Sequence, residues 1–184
     1  MTSTHRPTRL VTGGIVAAVA ALGAGAPTTY AEPSGPDVPS TIAVEAGHQV
    51  FLVGHAVGVQ IYACDGDRWS FVAPRADLYG DNGKLVIVHS GGPTWQARDG
   101  STVRARRDAD FTPDPTAIPW LRLATTATTA GPDGDRLTAT TFIQRTATTG
   151  GLEPPADECD AAAAGVVEEV PNTADDHYWK ATCA

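Results

Sequence analysis

An all-β domain is what the sequence predicts, curled into a closed or nearly closed antiparallel barrel of consecutive hairpins, with a two-sheet sandwich as the alternative. Three observations carry this expectation. Several short stretches alternate apolar and polar residues with period two, the pattern of strands with two unlike faces. Reversals bearing glycine and aspartate recur at about ten-residue spacing. No stretch of ordinary length places apolar residues at helical spacing. Successive hairpins then become neighbours in space, and closure removes bare strand edges.

Residues 32–41 are rich in proline, serine and glycine and read as a flexible lead-in, so the fold begins near Ile42 and fills 42–184. Val50 to Val53 reads as a short first strand. Val59 to Cys64 sets Val59, Ile61 and Ala63 against Gln60, Tyr62 and Cys64. After Asp65-Gly66-Asp67 the residues Trp69, Phe71 and Ala73 alternate again, which predicts a hairpin over 59–73 that Pro74 ends. Ala76 to Tyr79 fits a brief helical turn or extended chain before the reversal at Asp81-Asn82-Gly83. Leu85 to Val88 is continuously apolar, as in a strand covered on both faces.

A Gly91-Gly92-Pro93 break, a strand led by Trp95 and an Asp99-Gly100 turn follow. A two-residue turn pairs Trp95 with Arg104 across the ladder, where a guanidinium can stack on the ring; a three-residue loop with a bulge shifts that register. Asp108 to Pro119 holds three prolines and reads as a rigid surface connection. Trp120 to Ala127 and Leu137 to Thr146 flank the turn residues 131–135 and make the third hairpin, because the branched Cβ of threonine suits a pleated surface. Gly150-Gly151 and Pro154-Pro155 break the chain. Ala161 to Ala164 fits one helical turn, and Val166 to Val170 and Tyr178 to Thr182 read as closing strands.

The first 31 residues have the build of an export signal: His5, Arg6 and Arg9, an apolar run from Val11 to Ala26, and small residues before a cut after Ala31. The run falls short of the ~20 apolar residues that span a bilayer, so the expected product is secreted, with no stable membrane insertion. Removing two arginines and no acids takes 13 basic and 21 acidic residues to 11 and 21, near −10. That balance argues against nucleic acid as a partner. About 153 residues remain, enough for one domain. Cys64, Cys159 and Cys183 allow one intrachain disulfide and leave one thiol, so either a monomer or a Cys183-linked dimer is expected.

Chemistry is expected near residues 85–107, where two turns fold His89, Trp95, Asp99 and the arginines onto one region. With Trp120, the residues His89, Trp95, Asp99 and Arg104 form the candidate ligand-binding set. A Ser90-His89-Asp99 triad lacks its context, since adjacent side chains of a strand point to opposite faces and no Gly-x-Ser-x-Gly elbow exists. His48, His55, His89 and His177 lack the short spacing that fixes two metal ligands on one element. The pairs Asp65/Asp67, Asp108/Asp110 and Asp133/Asp135 read first as turn residues and lack full calcium-loop spacing. Neither a metal nor a cofactor is expected.

The segments VGVQIYAC (57–64), Trp69, HSGGPTW (89–95) with Asp99-Gly100-Ser101, AIPWL (117–121), FIQRTATTGG (142–151) and Pro155 to Cys159 occur in one order. In this the chain resembles the secreted family of bacteria and fungi known as domain of unknown function 3455. The resemblance implies secretion and a single β-rich domain, and it implies that Cys64 and Cys159 are the bonded pair, leaving Cys183 free. It carries no established activity. The chain departs from the family pattern at Asn172-Thr173-Ala174-Asp175-Asp176, where the family shows aromatics around a Tyr-x-Ala-x-Tyr; a site lined by those aromatics is altered here.

Three functional expectations follow. The first is a non-catalytic secreted domain that binds a small molecule, glycan or cell-envelope component near His89, Trp95 and Arg104. The second is an extracellular hydrolase or lyase with His89 as general base, oriented by Asp99 or Asp77. The third is a structural cell-surface protein.

Overall fold

The computed structural model describes residues 1–2 and 34–182. The rest of the expected leader and Cys183 lie outside them. Eight antiparallel strands run in sequence order round a closed ring: β1 (His48–Cys64), β2 (Trp69–Tyr79), β3 (Leu85–Ser90), β4 (Thr94–Ala97), β5 (Thr102–Phe111), β6 (Trp120–Thr129), β7 (Thr140–Gly150) and β8 (Val167–Ala181). Each strand pairs with its neighbours in sequence, as hairpin logic predicts, and β8 returns to pair with β1. The strands do not sit evenly round one axis, so the ring has both barrel and sandwich character.

Several boundaries differ from the sequence expectation, for identifiable reasons. The first strand is not two short pieces but one of 17 residues, running through Gly54 and Gly58. Those glycines stand where β1 presses on β2: a Cβ on Gly58 would meet the Arg75 carbonyl, and one on Gly54 the Leu78 side chain. They are close-approach glycines rather than breaks. Pro74 does not end β2. It pairs with Gln60 on one side, while β3 reaches back only to Ala76, and a missing N–H is tolerated on a stretch with one partner strand. Ala76 to Tyr79 is extended as part of β2. β5 continues to Phe111, into the segment expected to be a connection.

Leu137 precedes β7 and plugs the core, fully buried, instead of starting the strand. The two expected closing strands are a single one, β8. Residues 161–164 form turns, and the short helix of this region, a 3-10 turn, is Ala156–Glu158. The loop after β4 has three residues, with Ala97 N donating to Ser101 O and Gly100 N to Ala97 O, and Gly100 at φ 82° supplies the left-handed residue such a loop needs. Trp95 therefore faces Val103, and Arg104 faces Thr94.

Inside the ring the side chains are graded by size. One end is filled by Leu52, Leu78, Ile87, Val103, Ile143 and Tyr178, all buried in one cluster. Toward the other end the inward positions are small, with Ala56, Ala76 and Ala174. Beyond them Tyr62, Trp69 and the Cys64–Cys159 disulfide form a second cluster. Tyr62 OH donates to Gly151 O and Trp69 Nε1 to Pro155 O, so this cluster clamps the connection between β7 and β8 onto the β1–β2 hairpin. Outside the ring, Ile42 is fully buried, and its carbonyl accepts from Gln144 Nε2 at 2.7 Å.

The disulfide spans 95 residues of sequence, so the chain-entropy model gives it about 4–5 kcal/mol. We expect the Cys64→Ser/Cys159→Ser variant to lose roughly 3–5 kcal/mol in urea unfolding. A loss below about 1 kcal/mol would show that the clamp at this end holds without the bond.

Candidate functional site

The small inward residues leave a cavity of about 310 Å³ within the ring, and all eight strands contribute to its lining. Alternation decides which side chains reach it. On β8 the inward parity selects Asn172, Ala174 and Asp176, while Asp175 points out. On β1 it selects Ala56 and Gln60, and on β7 Arg145. Pro74, Pro93, Leu121 and Leu123 give the walls their apolar character, and Phe71 and Val72, 55% and 58% exposed, mark the mouth.

Trp95 forms the boundary between the packed end and the cavity. It belongs to the core cluster, is 2% exposed, and lines the cavity. His89 lies directly opposite it across β3 and β4, and the two rings stack with centroids 4.1 Å apart and planes within 9°. His89 Nδ1 sits 3.0 Å from Thr94 O; a carbonyl only accepts, so Nδ1 carries the proton and Nε2 is left bare. Burial pushes the His89 pKa down to about 4, with Arg145 adding to the effect, so the ring is neutral at physiological pH.

The indole edge of the same tryptophan is also held, with Trp95 Nε1 donating to Asp176 Oδ2 at 2.9 Å. Asp176 is 3% exposed, and burial raises its pKa to about 6 against the opposing pull of the indole bond and of Arg145. Arg145 is the cross-strand partner of Asp176 by register. Its guanidinium turns toward Pro119 O, to which Nε and Nη2 donate at 3.3 and 2.8 Å, and burial lowers its pKa as well. Gln60 Nε2 donates to Asn172 Oδ1 at 3.2 Å, completing the polar part of the lining.

Of the five expected ligand-binding residues, the structure brings two together, His89 and Trp95. Asp99 is a turn pin: Oδ1 accepts from Ser101 N and Oγ, Oδ2 accepts from Arg136 N, and these bonds hold its pKa down. Arg104 points outward and caps Gly92 O. Arg107, three residues on, is the arginine of that strand that lines the cavity. Trp120 is half-buried against Phe111 in an edge-to-face pair at 6.3 Å, outside the cavity.

No carboxylate among the described residues bonds to His89, whose polar contact is Thr94 O. Asp99 is engaged at the turn, and Asp77 lies on the outward face of β2. Outside the ring His55 bridges two carboxylates, Asp175 Oδ1 at 2.7 Å and Asp81 Oδ1 at 3.0 Å, which raise its pKa. Asp65 Oδ1 accepts from Asp67 N and Arg68 N, as a turn aspartate does.

Residues 45–180 match the family model described as a protein of unknown function, DUF3455. The chain belongs to that family. No curated protein and no solved structure matches it. In this DUF3455 domain, β8 supplies three of the cavity's lining residues, Asn172, Ala174 and Asp176. Asn172, Asp176, Arg145 and Gln60 were not singled out from the sequence. The signal was parity: Cys64 shares a face with Gln60, so a buried disulfide places Gln60 inside.

Two titrations oppose each other inside this domain. Asp176 has a folded pKa of about 6 against an ordinary 3.8, so the folded state holds the proton more tightly. Acidification from about pH 6 to about pH 4 then adds roughly 2 kcal/mol of stability. His89 at about 4 lies below its ordinary 6.5, so the unfolded chain takes the proton first. The same acidification removes roughly 2 kcal/mol. We expect Asp176→Asn to lose stability relative to wild type as the pH falls through this window, and His89→Phe to gain. The His55 and His177 contributions cancel in the differences. Urea unfolding at half-unit pH steps checks this; variants that run parallel to wild type would contradict the burial of both groups.

Proposed function

We propose that this is an exported, non-catalytic domain whose cavity beside His89 and Trp95 binds a small organic molecule. The observation that supports the reading is a cavity of about 310 Å³, within the range of small-ligand sites, with apolar walls and a few convergent polar groups. Its existence has a cause in the sequence, because Ala56, Ala76 and Ala174 stand where larger side chains would close it. Small inward residues cost buried apolar area, and a binding function accounts for that cost.

The shape of the site favours a compact guest over an extended glycan. Glycan recognition by stacking needs an open aromatic face, whereas Trp95 is 2% exposed with the His89 ring lying along it. The apolar mouth at Phe71 and Val72 suits a guest that enters with its hydrophobic surface in contact.

Ala56 and Ala174 are direct cross-strand partners, so leucine at both fills the space from two sides. We expect the emission enhancement of N-phenylnaphthylamine on the wild-type protein to fall at least about tenfold in the Ala56→Leu/Ala174→Leu variant, with near-ultraviolet dichroism confirming the fold. Undiminished enhancement in the filled variant would place binding elsewhere, and no enhancement on wild type would remove the reading.

A further inference from the structure

Arg145 is the feature of the cavity that the packing alone does not explain. It projects from β7 into an apolar-walled space, where an unpaired charge is costly. Among the described residues it forms no ion pair. Asp176, its cross-strand partner, directs Oδ2 to Trp95 instead. Two of the three guanidinium nitrogens, Nε and Nη2, converge on Pro119 O, which fixes the plane of the group. The third, Nη1, makes no hydrogen bond within the described residues and is not sealed from solvent. A guanidinium held by one edge and bare at the other is a preset donor for an anion.

The surroundings narrow the anion. Arg107 lines the same cavity, but its Nη2 is bonded to Asp110 Oδ1 at 2.9 Å, so Arg145 is the cation of the lining that no carboxylate of the described residues pairs directly. Gln60 and Asn172 are occupied with each other through one bond, and no helix N-terminus of the described residues points into the site, so these residues do not offer the several donors that a phosphate or sulfate demands. Asp176 in the same lining repels a multiply charged guest and tolerates a singly charged one better.

We propose that the ligand is an apolar molecule carrying a single carboxylate, with the carboxylate on the free edge of Arg145 and the hydrocarbon body along Leu121, Leu123 and the Phe71–Val72 mouth. This rests on the reading of the cavity as a ligand site. Arg145 is then the residue that selects charge, and the walls select shape.

The test is isothermal titration calorimetry of the full chain at neutral pH with two carboxylates, octanoate and naphthoate, and their uncharged counterparts, octanol and naphthylmethanol. We expect each carboxylate to bind at least about tenfold more tightly than its alcohol, the difference a charge-assisted bond supplies. Arg145→Met keeps much of the stem and removes the charge; it should bring each pair within about twofold, while Arg145→Lys keeps the preference. Alcohols binding wild type as well as carboxylates would overturn this inference and leave the cavity reading standing. Binding of neither class to wild type would also overturn it, and enhancement with N-phenylnaphthylamine then tells whether the cavity takes neutral guests. The wild-type comparison decides the question even where Arg145→Met does not fold.

Discussion

The pairing of β1 with β8 is the constraint on which the rest of the structure depends. These are the two longest strands, of 17 and 15 residues, and their ladder runs from His48–Ala181 to Ala63–Val167. Without it the hairpin series would be an open sheet with two bare edges and a face left in water. With it, every strand acquires an inside, and side-chain parity becomes a commitment: Asp176 goes in and Asp175 goes out, one residue apart. The contact joins the two ends of the domain, so local hairpin formation precedes the reward of closure.

Closure creates an interior, but side-chain size decides what the interior is. Leucine, isoleucine and tyrosine fill one end to solidity, and alanine on β1, β2 and β8 leaves the other hollow. A hollow beside a packed core survives only where its rim is fixed, because close-packed matter otherwise collapses into voids. Here the rim is fixed by the Cys64–Cys159 clamp, by Tyr62 on Gly151 O, and by Gly58 pressed against β2. Stability and vacancy are assigned to different parts of one ring.

Trp95 joins these two parts. Its face carries a neutral histidine and its edge a buried carboxyl, so one side chain fixes the orientation of two titratable groups whose pKa values are driven in opposite senses by the same burial. Arg145 adds a cation that the ring does not neutralise by direct contact. Buried charge of this kind weakens a fold unless something else requires it, and here it is concentrated at the hollow end.

By itself the sequence determined the all-β class and the order of hairpins, because alternation and glycine-bearing turns are local physics readable within about ten residues. It also located the reversals at Asp65–Asp67 and Asp81–Gly83. It did not determine that Pro74 and the β1 glycines lie within strands, since whether such a residue breaks a ladder depends on which neighbour is present beside it. The register of Trp95 turned on a single loop residue: three residues at 98–100 send Arg104 outward and leave Arg107 to line the cavity. Gln60, Arg145, Asn172 and Asp176 looked like ordinary polar residues of half-solvated strands. Only closure of β8 on β1 placed them in one space, because convergence of residues more than a hundred positions apart is a property of the ring and not of any segment.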